Sequence, residues 1–249
     1  FLAFMSWGYW RGAELPLNRD SVRATVAHDF AIVALMVVLA SSYILLDMYF
    51  GFMSSVGLKS NVLKTFVYSL IFLSSAPYLF GKITAQLSRY LHRYNRNCTG
   101  KIMAVDTIGS VLGSILTTLV IMPFIGVNHT IIVVVITAVA ASALMAKVAW
   151  YWLGLIILFA VLLNRGSLLR EVYDIIENNE VSTISIVDTD EGRARAMVIN
   201  GGNSSKISDD RQYWFGYVRY IQENFIETLP KDQKKDVLIL GAGGFTIGE

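Results

Sequence analysis

Residues 107 to 146 contain no Asp, Glu, Lys or Arg, a run about twice the roughly 20 residues that carry a helix across a bilayer. Backbone groups that lose water over such a length must be satisfied internally, and a helix does this within one segment. Two spans with a tight connection fit the run. The whole chain is 54% hydrophobic and only 16% charged, where ordinary globular domains carry about 25% charge. An integral membrane class follows.

Charge divides unevenly along the chain. Residues 1–164 hold eleven Lys plus Arg against five acids, net +6, whereas residues 165–249 hold ten against fourteen, net −4. We therefore read 1–164 as a transmembrane helical domain and 165–249 as the leading part of a soluble domain. An acidic tail argues against nucleic acid, whose phosphates require a basic face. The single cysteine, Cys98, excludes an internal disulfide framework and any multi-cysteine metal site. His28, His92 and His129 fall at span borders without ligand spacing, so no metal site is expected.

The first span is expected over 30–53, interrupted by Asp47, and the second over 62–81, with Lys64 near one end and a kink at Pro77. Over 82–101, Lys82, Arg89, Arg93, Arg96 and Lys101 alternate with Ile83, Leu87, Tyr90, Leu91 and Tyr94. That spacing predicts a basic amphipathic helix on the membrane surface, on the cytoplasmic side by the positive-inside rule. The third span, 103–124, carries Asp106 and Gly109-Ser-Val-Leu-Gly113, a spacing that lets another helix approach closely and so suggests homo-oligomer packing. Pro123 and Gly126 mark the turn after it. Residues 130–163 are broken by Lys147 and Trp150-Tyr151-Trp152, giving either two short spans or one span with a re-entrant or interfacial extension. The total is four or five spans. Four would leave only Lys59 and Lys64 outside and put the soluble head in the cytoplasm.

Residues 165–180 read as a helical linker. Val181–Val187 and Ala194–Ile199 read as a β-hairpin around the acidic turn 188–192. A helix is expected from Ser208, Asp209 and Asp210, with an apolar stripe of Trp214, Tyr217, Val218, Ile221 and Phe225. Last, Asp236-Val-Leu-Ile-Leu240 runs into Gly241, Ala242, Gly243 and Gly244. A buried parallel strand ending in glycines is how Rossmann-like folds bring backbone N–H groups to a nucleotide-type ligand. The chain begins at Phe1 and stops at Glu249 inside this turn, as a piece of a longer protein would.

The tail, AMVINGGNSSKISDDRQYWFGYVRYI followed by DVLILGAGGFTIG, resembles the start of the spermidine synthase family, the polyamine aminopropyltransferases. The stretch AVDTIGSVLGSILTTLVIMPFIGV resembles the membrane-fused spermidine synthase-like proteins of bacteria, which implies the bacterial inner membrane. Together the resemblances cover about residues 60–249. They imply an AdoMet-type Rossmann fold and decarboxylated AdoMet or AdoMet as co-substrate, with no tightly bound cofactor. Gly241, Ala242, Gly243 and Gly244 would cradle the adenosine moiety, with Ala242, Gly244 and Phe245 departing from the family's GGGDG loop. Tyr213 and Ser204 would line the pocket of a small-molecule amine, Ser204 standing where the family has Gln. Asn200-Gly201 takes the family's Asp-Gly turn, and Ser182 lies near its other Gln. The catalytic base is expected beyond Glu249. Two other classes remain open at this point: a transporter or channel, motivated by Asp47 and Asp106 inside spans, and a scaffold subunit with a non-catalytic head.

Overall fold

A computed structural model describes residues 1–94, 98–146, 150–208 and 215–230. The chain divides into two compact units, Phe1–Gly166 and Ser167–Glu249.

The described residues of the first unit form helices and their connections, with no strand. Helix α1 covers Leu2–Glu14 and α2 covers Arg19–Ser41. Helix α2 begins at Arg19 because the Asn18 side chain accepts the Ser21 N–H at 2.7 Å, with Asp20 in the positive first turn. It ends earlier than the expected 30–53 span. Ser42 leaves helical space at ψ 119° and caps α3, Tyr43–Ser55, while the Ser41 hydroxyl donates to the Val37 carbonyl at 2.6 Å. Paired serines compete for backbone groups, so the apolar run is two helices rather than one.

Helix α4, Asn61–Tyr68, passes through a π-helical turn, Ser69–Leu73, into α5, Ser75–His92. Pro77 has no N–H for the carbonyl four residues earlier, that of Leu73, and the widened turn absorbs the defect one turn before the ring. Helix α5 continues to His92, so residues 82–92 extend the second span instead of forming a separate surface helix. Helix α6, Cys98–Ile115, leads through a second π-helical turn, Leu116–Ile121, into α7, Met122–Met145. Gly126, at φ 76° and ψ 169°, breaks this run where the uncharged turn was expected. Only glycine adopts that φ without strain. Helix α8 is Trp150–Leu163.

Among the described residues, three helical stretches are long and apolar enough to cross a membrane: Arg19–Ser41, Asn61–His92 and Cys98–Met145. Trp150–Leu163 with Gly166–Tyr173 makes a fourth if taken together, and Cys98–Met145, 48 residues broken at Gly126, is long enough for two crossings. Helix α6 shows what such surfaces require. Every residue of it except Cys98 and Ile102 is exposed, including Val105, Ile108, Val111, Leu112 and Ile115. An apolar face of that length is stable against lipid and not against water.

The second unit opens with helix α9, Gly166–Tyr173, followed by a four-stranded antiparallel sheet in the order β1-β2-β3-β4. Its strands are Ile175–Asn178, Thr183–Thr189, Ala194–Ile199 and Gly202–Ile207. The expected hairpin is β2 with β3, paired from Ile184↔Ile199 to Thr189↔Ala194. Helix α9 occupies the first half of the helical linker expected over 165–180, strand β1 the second half, and β4 adds a strand that was not expected. Asn200 and Gly201, at φ 51° and 78°, make the reversal from β3 to β4, a two-residue turn with both centres at positive φ that matches the twist of its strands. Polar β4, GNSSKI, carries no hydrophobic alternation and is held by its ladder to β3. Helix α10, Gly216–Asn224, starts after Phe215. Of the expected stripe Val218 is buried, whereas Tyr217 and Phe225 are exposed. Trp214, Asp209, Asp210 and the strand 236–240 lie outside the described residues.

Within the first unit the closest helix approach is made by glycines other than Gly109 and Gly113. A Cβ built on Gly8 or Gly12 of α1 would run into the Tyr78 or Lys82 carbonyl of α5, and one on Gly81 would run into the Met5 carbonyl. The contact is a pair of small-xxx-small motifs, Gly8-x-x-x-Gly12 against Gly81-x-x-x-Ala85, which lets backbones meet. Gly109 and Gly113 face open space among the described residues. Helix α2 packs on the other side, where Ala34 and Val38 meet Val135, Ala138 and Val139 of α7 and Leu153 and Ala160 of α8. The Ser142 hydroxyl donates to the Ala27 carbonyl at 2.6 Å, and the Arg23 guanidinium donates to the Met145 carbonyl at the α7 terminus at 2.6 Å. We expect Gly8→Leu and Gly81→Leu each to cost about 1–3 kcal/mol or more through overpacking against backbone. Gly109→Leu should leave the monomer unchanged. Thermal unfolding in detergent, followed by dye labelling of buried Cys98, separates the two outcomes.

Candidate functional site

Polar residues on one face of α5 organise the first unit. Positions 82, 86, 89 and 93 recur at helical spacing, and each reaches across to α1, α2 or the segment joining them. Lys82 Nζ donates to Asp29 Oδ1 at 2.7 Å, and Gln86 Nε2 to the Pro16 carbonyl at 3.0 Å. Arg89 Nη1 donates to the Ala13 carbonyl and, at 3.3 Å, to that of Leu15. Arg93 Nη1 donates to the Leu17 carbonyl at 3.2 Å. Terminal helix carbonyls lack intrahelical partners and form the negative end of the dipole. The guanidinium of Arg89 supplies α1 with both donor and charge. The basic residues of 82–93 were expected to face headgroups; Lys82, Arg89 and Arg93 instead bond to protein.

Asp29 is the feature that hydropathy did not reveal. Its side chain is 0% exposed and that of Lys82 is 16% exposed. His28 Nδ1 lies 3.8 Å from the same carboxylate oxygen, its ring 73% exposed. Asp29 Oδ2 and Gln86 Oε1 are buried without a hydrogen-bond partner among the described residues. Isolating a carboxylate from water costs several kcal/mol, and only the ammonium opposite makes the arrangement tenable. An ion pair within helices of this apolarity is where a membrane protein holds or relays charge. Asp47 and Asp106, the acids singled out in the sequence, are both exposed. Among the described residues, no group of three His, Cys, Asp or Glu could hold a metal ion.

Two cavities flank the α5–α6 contact. One, of about 490 Å³, lies between α1, α5 and α6 and includes Tyr9, Ser88, Arg89, His92 and Met103. The other, of about 570 Å³, includes Phe30, Phe80, Leu87, Lys101 and Asp106.

In the second unit, Ser204 sits half-buried on β4, and strand β3 separates it from Ser182, which precedes β2. Asn200 Oδ1 accepts the Thr183 N–H at 2.9 Å, pinning the β3–β4 turn to the start of β2. Tyr213, Gly241, Ala242, Gly243 and Gly244 lie outside the described residues. A cavity of about 400 Å³ opens at the β2–β3 turn beside Arg193, Arg195 and Ile207, where the charges neutralise one another: Arg193 with Glu191 at 2.7 Å and Arg195 with Asp188 at 3.3 Å. Lys206 Nζ lies 2.5 Å from Asp190, and its hydrogen bond holds the Asp190 carboxyl below the usual carboxylate range.

The residues missed by sequence reading differ in how they could have been found. The spacings Gly8-x-x-x-Gly12 and Gly81-x-x-x-Ala85 are legible in the chain. The pairing of Asp29 with a lysine 53 positions away has no local signature. Removing one partner should be costly, about 3–5 kcal/mol for Asp29→Ala or Lys82→Ala, and the double variant Asp29→Leu/Lys82→Leu should recover much of the loss. Unfolding of the four proteins in detergent checks this. For Asp190 the folded pKa lies below the unfolded value of about 3.9, so its contribution is complete above that pH and is lost as pH falls toward the folded value. Amide exchange in β2 and β3 should therefore accelerate below about pH 3.9 more in the parent protein than in Asp190→Asn. No protein-family model, curated protein or solved structure matches the chain, so the chemistry must be argued from these residues.

Proposed function

We propose that the chain is the membrane anchor and leading portion of a spermidine synthase-like transferase of the bacterial cytoplasmic membrane. The observation that carries this reading is the order of the second unit: an antiparallel meander, a reversal at Asn200-Gly201, Ser204 on the following strand, then helix α10. That is the order the family resemblance implies ahead of the glycine loop.

In this reading a neutral amine attacks the carbon beside the sulfonium of decarboxylated AdoMet. A C–N bond forms, the C–S bond breaks, and its electron pair stays on sulfur as methylthioadenosine leaves. The amine's surplus proton passes to a carboxylate base, which the family places after the glycine loop. A base is needed because polyamine amines are mostly protonated near neutral pH. Gly241, Ala242, Gly243 and Gly244 offer backbone N–H groups to the adenosine moiety, and Tyr213 with Ser204 lines the amine site. The head works on the cytoplasmic side, where AdoMet compounds are made. Helix α8 supports that side: at 14 residues it is shorter than the roughly 20 of a full crossing, so a re-entrant path fits it.

A transporter with a ligand-sensing head is the second reading, favoured by the buried Asp29–Lys82 pair. Incubating the full-length protein in membranes with decarboxylated AdoMet and putrescine decides between them. Methylthioadenosine release is expected, reduced about a hundredfold or more by Gly243→Val through misplacement of the donor. No release with any polyamine acceptor, together with polyamine flux that depends on Asp29, would replace the transferase by the transporter.

A further inference from the structure

One end of the first unit collects its cations. Arg19 and Arg23 open α2, Arg89 and Arg93 close α5, Lys101 follows the start of α6, and Arg11 lies in the last turn of α1. The Arg23–Met145 bond brings the end of α7 to the same place. Of the acids there, Glu14 is already paired with Arg11 at 2.8 Å, and Asp20 lies between Arg19 and Arg23 in the first turn of α2. The cavity of about 490 Å³ between α1, α5 and α6 opens at this end. Its body is apolar, with Ala13, Leu17, Ala85 and Met103, and its polar groups are Tyr9, Thr84, Ser88, Arg89, His92 and Thr99. Both bonds from Arg89 to α1 use Nη1. Nε and Nη2 make no hydrogen bond among the described residues, and Arg89 lines the cavity one helical turn from the exposed His92.

We infer that this groove holds one anionic phospholipid, its phosphate on Arg89 and His92 and the start of an acyl chain against Leu17 and Met103. Charge complementarity selects the head group, because the remaining guanidinium edge, Nε with Nη2, matches a phosphate oxygen pair. The apolar body selects a lipid over a free anion, which would leave the groove empty below it. Position agrees: basic pockets between membrane helices are where acidic head groups settle. The inference rests on the membrane character of the first unit and is independent of the transferase reading.

The test is native mass spectrometry of the full protein in detergent, titrated with phosphatidylglycerol, phosphatidylcholine or glycerol 3-phosphate. We expect one phosphatidylglycerol retained at least about fivefold more than phosphatidylcholine, the size of one basic contact at a membrane surface. His92→Gln and Arg89→Gln should lower that preference. Because Arg89 also ties α1, the deciding variant is Met103→Trp, which narrows the apolar part of the groove and touches none of those bonds; it should weaken retention in a protein that melts normally. Equal retention of the two lipids, unchanged retention in Met103→Trp, or equal binding of glycerol 3-phosphate alone would each overturn the inference.

Discussion

A carboxylate with no exposed surface, faced by a single ammonium, is the constraint around which the membrane unit is arranged. Asp29 and Lys82 set the register of α2 against α5, since no other position along α2 offers the lysine a buried acid. Below the pair, Val22 and Val26 of α2 close on Ile83 of α5. Above it, Phe30 meets Phe80 edge-on with ring centroids 6.1 Å apart. An ionic contact of this kind adds little net stability compared with a hydrophobic replacement, but it penalises every other register heavily. Its contribution to this fold is therefore chiefly one of alignment.

With α5 fixed on α2, α1 has one way to dock. Glycines at 8, 12 and 81 let its backbone lie on that of α5, and the cations beyond Lys82 take the carbonyls at its end. Helix α1 ends at Glu14 with terminal carbonyls that need donors. It persists because its orphan acceptors are satisfied by a neighbour. The same economy appears at Met145, where Arg23 ends α7, and at Ala40, whose carbonyl accepts the Tyr68 hydroxyl. Helix carbonyls away from water need protein donors, and Arg23, Tyr68 and Arg89 supply them here.

Much of this architecture was legible in the chain. The charge-free run 107–146 announced membrane helices, Gly126 marked its break, and the alternation in 181–187 and 194–199 announced a hairpin, whose first strand lies two residues later, at Thr183–Thr189. Where reading failed, the reason was physical. Strand β4 is too polar to show a pattern and exists through its ladder to β3. Ser42 divides an apolar stretch that hydropathy averages into one helix. Gly109 and Gly113, whose spacing suggests packing between copies, face open space within one copy among the described residues.

The sequence by itself determined the class of the first unit, its helical state and the hairpin of the second, because hydropathy and short-range periodicity are local properties that neighbours along the chain express together. Tertiary structure alone decided which acid is buried, which glycines touch another backbone and which cations meet carbonyls. Those outcomes join residues 53 to 122 positions apart, and a contact over such a distance exists only once the helices have crossed at one angle and one register.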